Sequence, residues 1–84
     1  MEEKRIGKVT HYFTNISVAV LDLEDTLEVG DEIHILGRTT DFFQKVASLQ
    51  IEHKPIQKAK PGDNVALKVD DHVRENDVIY KVIP

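Results

Sequence analysis

Apolar residues recur at every second position in short runs along this chain, and nowhere with the three-to-four-residue spacing of an amphipathic helix. Ile16, Val18 and Val20 alternate with the small residues Ser17 and Ala19, and Ile33 and Ile35 alternate with Glu32 and His34. Leu49 and Ile51 flank Gln50, while Val65, Leu67 and Val69 alternate with Ala66 and Lys68. Successive side chains of an extended chain point to opposite faces, so each set marks one face of a strand. The β-branched content favours strand over helix. The pattern therefore predicts that Ile16, Val18, Val20, Ile33, Ile35, Leu49, Ile51, Val65, Leu67 and Val69 point inward. Val46 is out of phase with Leu49 and Ile51, and a bulge near Ala47-Ser48 would restore the phase.

Turn residues punctuate these runs. Gly30-Asp31, Gly62-Asp63 and Asn76-Asp77 each lead into a short apolar strand. Glycine adopts positive φ without steric penalty and Asn is the next most tolerant residue, so Gly30, Gly62 and Asn76 are expected to share that conformation. Gly7 marks a bulge or a close backbone approach within the first strand, over 6–13. Thr14-Asn15 makes the turn into the second strand, 22–26 is an acidic loop, and Gly37 closes the third strand. Lys54-Pro55 should end regular pairing because Pro lacks a backbone donor, leaving 56–60 as a basic connector. Seven short β segments at about ten-residue spacing predict an all-β fold, a small antiparallel barrel in which closure leaves few exposed edges.

The 84 residues make one domain spanning 1–84, with 1–5 expected as a flexible lead. Without cysteine, neither disulfides nor thiolate chemistry contributes. No apolar stretch has the length of a signal core or a membrane span, which points to a cytoplasmic protein. His11, His34, His53 and His72 lack the close spacing of a local metal pair, and Asp22-x-Glu24-Asp25 lacks the Gly and distal Glu of a calcium loop. Neither a nucleophile motif nor a phosphate-binding glycine loop is present, so the expectation is a non-enzyme with no cofactor and no nucleoside triphosphate.

The net charge of −4 disfavours a strong polyanion binder, but the charge is unevenly spread. Residues 21–37 carry six acidic side chains and no Lys or Arg, whereas 38–60 carry Arg38, Lys45, Lys54, Lys58 and Lys60 against Asp41 and Glu52. Phe42 and Phe43 are adjacent, so in a strand one ring enters the core and the other lies outside. An outward ring beside cations can stack a base or anchor a protein. Arg38, Phe42, Phe43, Lys45, Lys54, Lys58 and Lys60 are therefore the candidate residues for binding RNA or a protein partner.

The pattern Leu27-x-Val29-Gly30-Asp31-x-Ile33-x-Ile35-x-Gly37 resembles the second, β-barrel domain of translational GTPases such as elongation factor Tu. Ala59-x-x-Gly62-Asp63-x-Val65-x-Leu67 is similar to that domain's second signature, and Asn76-Asp77-Val78-Ile79 takes the place of its closing Gly-Asp turn. The middle stretch, Gly37 to Phe42 with Val46-x-Ser48-Leu49-Gln50-Ile51, resembles small elongation factor-like proteins and the C-terminal barrel of collagenase-like peptidases. The resemblance covers about Arg5 to Ile83 and implies a six- or seven-stranded Greek-key barrel. It also implies a translation-associated module without a GTPase domain, contacting tRNA, the ribosome or another ribonucleoprotein. The alternative it implies is an accessory barrel that docks onto an enzyme or factor, as in the collagenase-like peptidases. Fold alone does not choose between them.

Overall fold

The Gly/Asn-Asp turns share one geometry. In each, the Asp N–H donates to the carbonyl three residues back: Asp31 to Glu28 at 3.0 Å, Asp63 to Lys60 at 3.0 Å and Asp77 to Arg74 at 3.1 Å. The Asp carboxylate accepts in return from the N–H of Glu28, Lys60 and Arg74, at 2.9, 3.0 and 2.8 Å. The residue before each Asp takes positive φ, 99° at Gly30, 90° at Gly62 and 74° at Asn76, as the sequence predicts. Positive φ at the third position of a hydrogen-bonded four-residue turn is the type II pattern, which selects Gly or Asn there.

The computed structural model describes residues 2–84, and among them there are strands and no helix. The strands are β1 (Glu2–Phe13), β2 (Val18–Leu23), β3 (Leu27–Glu28), β4 (Glu32–Leu36), β5 (Asp41–Lys45), β6 (Leu49–Ile51), β7 (Lys54–Ile56), β8 (Lys58–Ala59), β9 (Asn64–Lys68) and β10 (Val78–Ile83). Every pairing is antiparallel. Eight strands follow the order β5-β4-β10-β1-β2-β9-β6-β7, and β3 pairs with β8 in a separate ribbon. β10 returns by a long connection to lie between β1 and β4, a Greek-key crossing. The fold is thus the small all-β antiparallel architecture that the alternation predicts.

Several local expectations are corrected. Of the expected flexible lead over 1–5, Glu2 to Arg5 instead open β1 and pair with Tyr80 to Ile83 of β10; Met1 lies outside the described residues. Pro55 does not end pairing. It sits in β7 opposite Gln50, and because β7 is an edge strand the missing donor costs no ladder bond. Glu52 and His53 both take positive φ, 50° and 66°, making the two-residue hairpin loop of the I′ kind. Val46 does not lie in a bulged strand either. The chain changes partners there: β5 pairs with β4, β6 pairs with β9, and Val46 bonds the Gly30-Asp31 turn through its N–H and carbonyl at 2.8 and 2.9 Å.

Gln44 ties β5 to the far side of the sheet order. Its buried side chain accepts the Asp70 N–H at 2.8 Å and donates to the Lys68 carbonyl at 3.0 Å, satisfying backbone groups at the end of β9 and just past it. Gly7 fills both roles expected of it. The register of β1 against β10 shifts between Arg5 and Gly7, and a Cβ on Gly7 would lie 2.5 Å from the Asp22 carbonyl oxygen.

The core contains Ile6, Val9, Leu21, Ile33, Ile35, Leu49, Val65, Leu67 and Ile79, all at most 1% exposed. Ile33, Ile35, Leu49, Val65, Leu67 and Val69 point inward as expected, and the half-buried Ile51 packs against the core. The inward face of β2 is the opposite of the one expected. Ala19, Leu21 and Leu23 are buried, whereas Ile16 is 57% exposed and Val18 and Val20 are half-buried on the outside. Ser17 takes a φ of 55°, which keeps Ile16 in the turn, and Ala19 and Leu21 pair with the inward residues Leu67 and Val65. Both faces of β2 are apolar, and the two leucines place more apolar area in the core than the valines would.

Candidate functional site

The outward side of β2, β9 and β6 forms a shallow apolar groove of about 410 Å³. Its floor follows from register. Val20 and Gln50 both pair with Ala66, so a methyl side chain lies between two larger neighbours and leaves a depression. Phe13, 46% exposed at the end of β1, and Ile16 in the turn raise one wall. The Glu52-His53 hairpin raises the other, and Asn64 adds a polar rim. The Phe13 ring meets the His11 ring edge-on at a 4.4 Å centroid distance. An apolar floor with a polar margin is the anatomy of a docking site, in which one or two inserted side chains lose contact with water. None of these groove residues is among the seven candidates read from the sequence. The signal was present in β2, whose two apolar faces cannot both enter one small core.

The structure distributes those seven candidates. Phe42 is half-buried against the core and Phe43 is 48% exposed, so the adjacent rings part as strand geometry requires. Arg38 lies in the turn before β5, and Lys45 ends that strand opposite Glu32. Lys54 lies on β7, at the other end of the strand order, and Lys58 lies on β8 opposite Glu28. Lys60 opens the Gly62-Asp63 turn. Among the described residues these cations form no ion pair within 4.0 Å. The exposed ring of Phe43 stacks on His34 at 4.1 Å rather than on a Lys or Arg side chain, and His34 contacts the carboxylates of Glu3 and Asp41. The immediate setting of that ring is therefore acidic.

The fold and groove define a small β-barrel with an apolar depression on its outer face, and the chain's relatives carry that description further. No protein-family model matches the chain. An uncharacterized protease of Methanocaldococcus jannaschii is 41% identical over 76 residues, covering 89% of this chain and 19% of that protein. A collagenase of Porphyromonas gingivalis is 36% identical over 78 residues, covering 90% of this chain and 22% of the collagenase. Eukaryotic translation initiation factor 5B of Saccharomyces cerevisiae is 35% identical over 81 residues, covering 73% of this chain but 8% of the factor. The chain thus spans about a fifth of the length of the protease and collagenase it matches.

Among solved structures, it is similar to the C-terminal domain of a Geobacillus thermoleovorans protein assigned to the U32 peptidases. The TM-score is 0.89 at 20% identity, over 95% of this chain and 93% of that domain. That likeness establishes the fold. The collagenase-type barrel is the better supported of the two resemblances, and the translation-factor likeness is the weaker. No helix among the described residues is long and apolar enough to cross a membrane.

Proposed function

We propose that this chain is a non-catalytic docking barrel that works beside a peptidase catalytic unit of the U32 kind, seating an apolar segment of that unit in the groove over Ala66. The observation that carries the reading is the groove itself, an apolar depression on the outside of a small barrel, rimmed by Glu52, His53 and Asn64. A concave apolar surface with polar groups at its rim is the arrangement that seats a partner side chain. The relatives support the choice of partner, because the chain aligns with about a fifth of two proteins named as a protease and a collagenase. On this reading the barrel supplies position and contact area, and the peptidase supplies the chemistry.

Titration calorimetry of the barrel against a U32 peptidase lacking its own barrel tests this. Wild type should bind saturably. Val20→Glu and Ala66→Glu should each weaken binding at least about tenfold, since a buried unpaired charge costs more than the 1.4 kcal/mol that a tenfold change represents. Lys54→Glu and Lys58→Glu should leave it unchanged. Binding that disappears only in the lysine variants, or that wild type shows toward tRNA alone with a steep salt dependence, would replace this reading with the RNA surface at Arg38, Phe42, Phe43, Lys45, Lys54, Lys58 and Lys60.

A further inference from the structure

On the opposite stretch of the strand order, His34 of β4 sits between two carboxylates. Its Nδ1 lies 2.7 Å from Glu3 Oε1 on β1, and its Nε2 lies 2.5 Å from Asp41 Oδ1 on β5. Its ring is stacked on Phe43 at 4.1 Å and tilted against Tyr80 of β10 at 6.2 Å. The His34 side chain is 12% exposed, whereas Asp41 is 69% exposed. An ionised carboxylate only accepts hydrogen bonds, and a neutral imidazole has one N–H to give. Both short contacts can be hydrogen bonds only when both ring nitrogens carry a proton.

The geometry points to a proton-dependent clamp: His34, when doubly protonated, adds side-chain ties from β4 to the start of β1 and to the edge strand β5, and loss of one proton removes one of the two ties and leaves that strand held by its backbone ladder alone. β5 is the end of the strand order, with β4 its only ladder partner among the described residues, so its attachment is the one most open to such control. The other ionisable groups on this face do not displace the clamp. Arg5 is paired with Glu24 at 3.2 Å, Lys45 lies opposite Glu32, and Tyr80 lies opposite His34 in register. The two carboxylates lie on opposite nitrogens of the ring, so the three side chains do not converge on one point. This inference does not depend on the docking role of the groove.

Burial alone would lower the pKa of His34. The hydrogen bonds and charges of Glu3 and Asp41 outweigh it and raise the pKa above the ordinary 6.5. A group whose folded pKa is raised contributes stability that is complete below its unfolded pKa and is lost as pH rises through the folded value. The clamp's contribution should therefore be complete below about pH 6.5 and be lost as the pH rises from there through the raised pKa of His34.

Nuclear magnetic resonance titration of the His34 ring, together with amide hydrogen exchange of 41–45 corrected for intrinsic rates, tests the clamp. His34 should titrate above 6.5. Protection of 41–45 should fall as pH rises, by a total factor equal to the ratio of the open-state and folded-state acid dissociation constants. Asp41→Asn should lower the His34 pKa, and His34→Gln should abolish the pH dependence of protection. A His34 pKa at or below 6.5, an Asp41→Asn variant with the wild-type pKa, or the same pH dependence in His34→Gln would each overturn the clamp.

Discussion

Replacing Gly37 by Ala places a Cβ where the Asp77 carboxylate lies. Gly37 needs no unusual φ, so any penalty comes from this contact. Asp77 is only 4% exposed, and its Oδ2 accepts the Arg74 N–H at 2.8 Å, so it cannot swing away without breaking the turn that launches β10. Forcing an extra methyl into such packing costs about 1–3 kcal/mol. Asp77→Ala removes a hydrogen bond to a charged acceptor and costs about 1.5–3 kcal/mol. Once the carboxylate is gone, however, the methyl added by Gly37→Ala has space. The double variant should be scarcely less stable than Asp77→Ala, a coupling of about 1–3 kcal/mol between two positions forty residues apart in sequence. Urea unfolding of the four proteins by circular dichroism measures it. Each kcal/mol also corresponds to about 4–8 °C in Tm for a domain of this size. Additivity within about 0.5 kcal/mol would refute the packing argument.

Two further outcomes follow from the backbone and the core. Gly30→Ala and Gly62→Ala should each cost about 1 kcal/mol through positive φ alone, since an added Cβ meets nothing within 4 Å at either position, while Asn76→Gly should be neutral or slightly stabilising; thermal melts of the three variants give the answer. Ile35→Ala or Leu67→Ala should cost about 2–5 kcal/mol, whereas Ile16→Ala should stay within about 0.5 kcal/mol because Ile16 is 57% exposed; equal losses at Ile16 and Ile35 in chemical denaturation would show that Ile16 belongs to the core after all.

The type II turns were legible in the sequence because their chemistry is local: a residue tolerant of positive φ precedes an Asp whose carboxylate reaches back three residues. Inward positions on β4 and β9 were legible because their other faces carry Glu32, His34, Asn64 and Lys68. The inward face of β2 was not, because Val18 to Leu23 is apolar on both faces apart from Asp22, and only pairing with β9 decides which face is covered. The groove was hidden for the same reason, since its floor exists only where Val20, Ala66 and Gln50 meet across three strands. The parting of Phe42 and Phe43 followed from strand geometry, but the stacking of Phe43 on His34 depends on the β4–β5 register, which no local pattern encodes. The clamp joins residues 3, 34 and 41, brought together by β1, β4 and β5 with β10 between the first two.

Amide chemical-shift mapping of the barrel during titration with a U32 peptidase catalytic unit bears most directly on the docking claim. The shifts should concentrate at the groove, over 13–20, 50–53 and 64–66, and leave 38–45 and 58–60 unmoved. Shifts centred on Arg38 to Lys45 and Lys58 to Lys60, with the groove silent, would contradict the account.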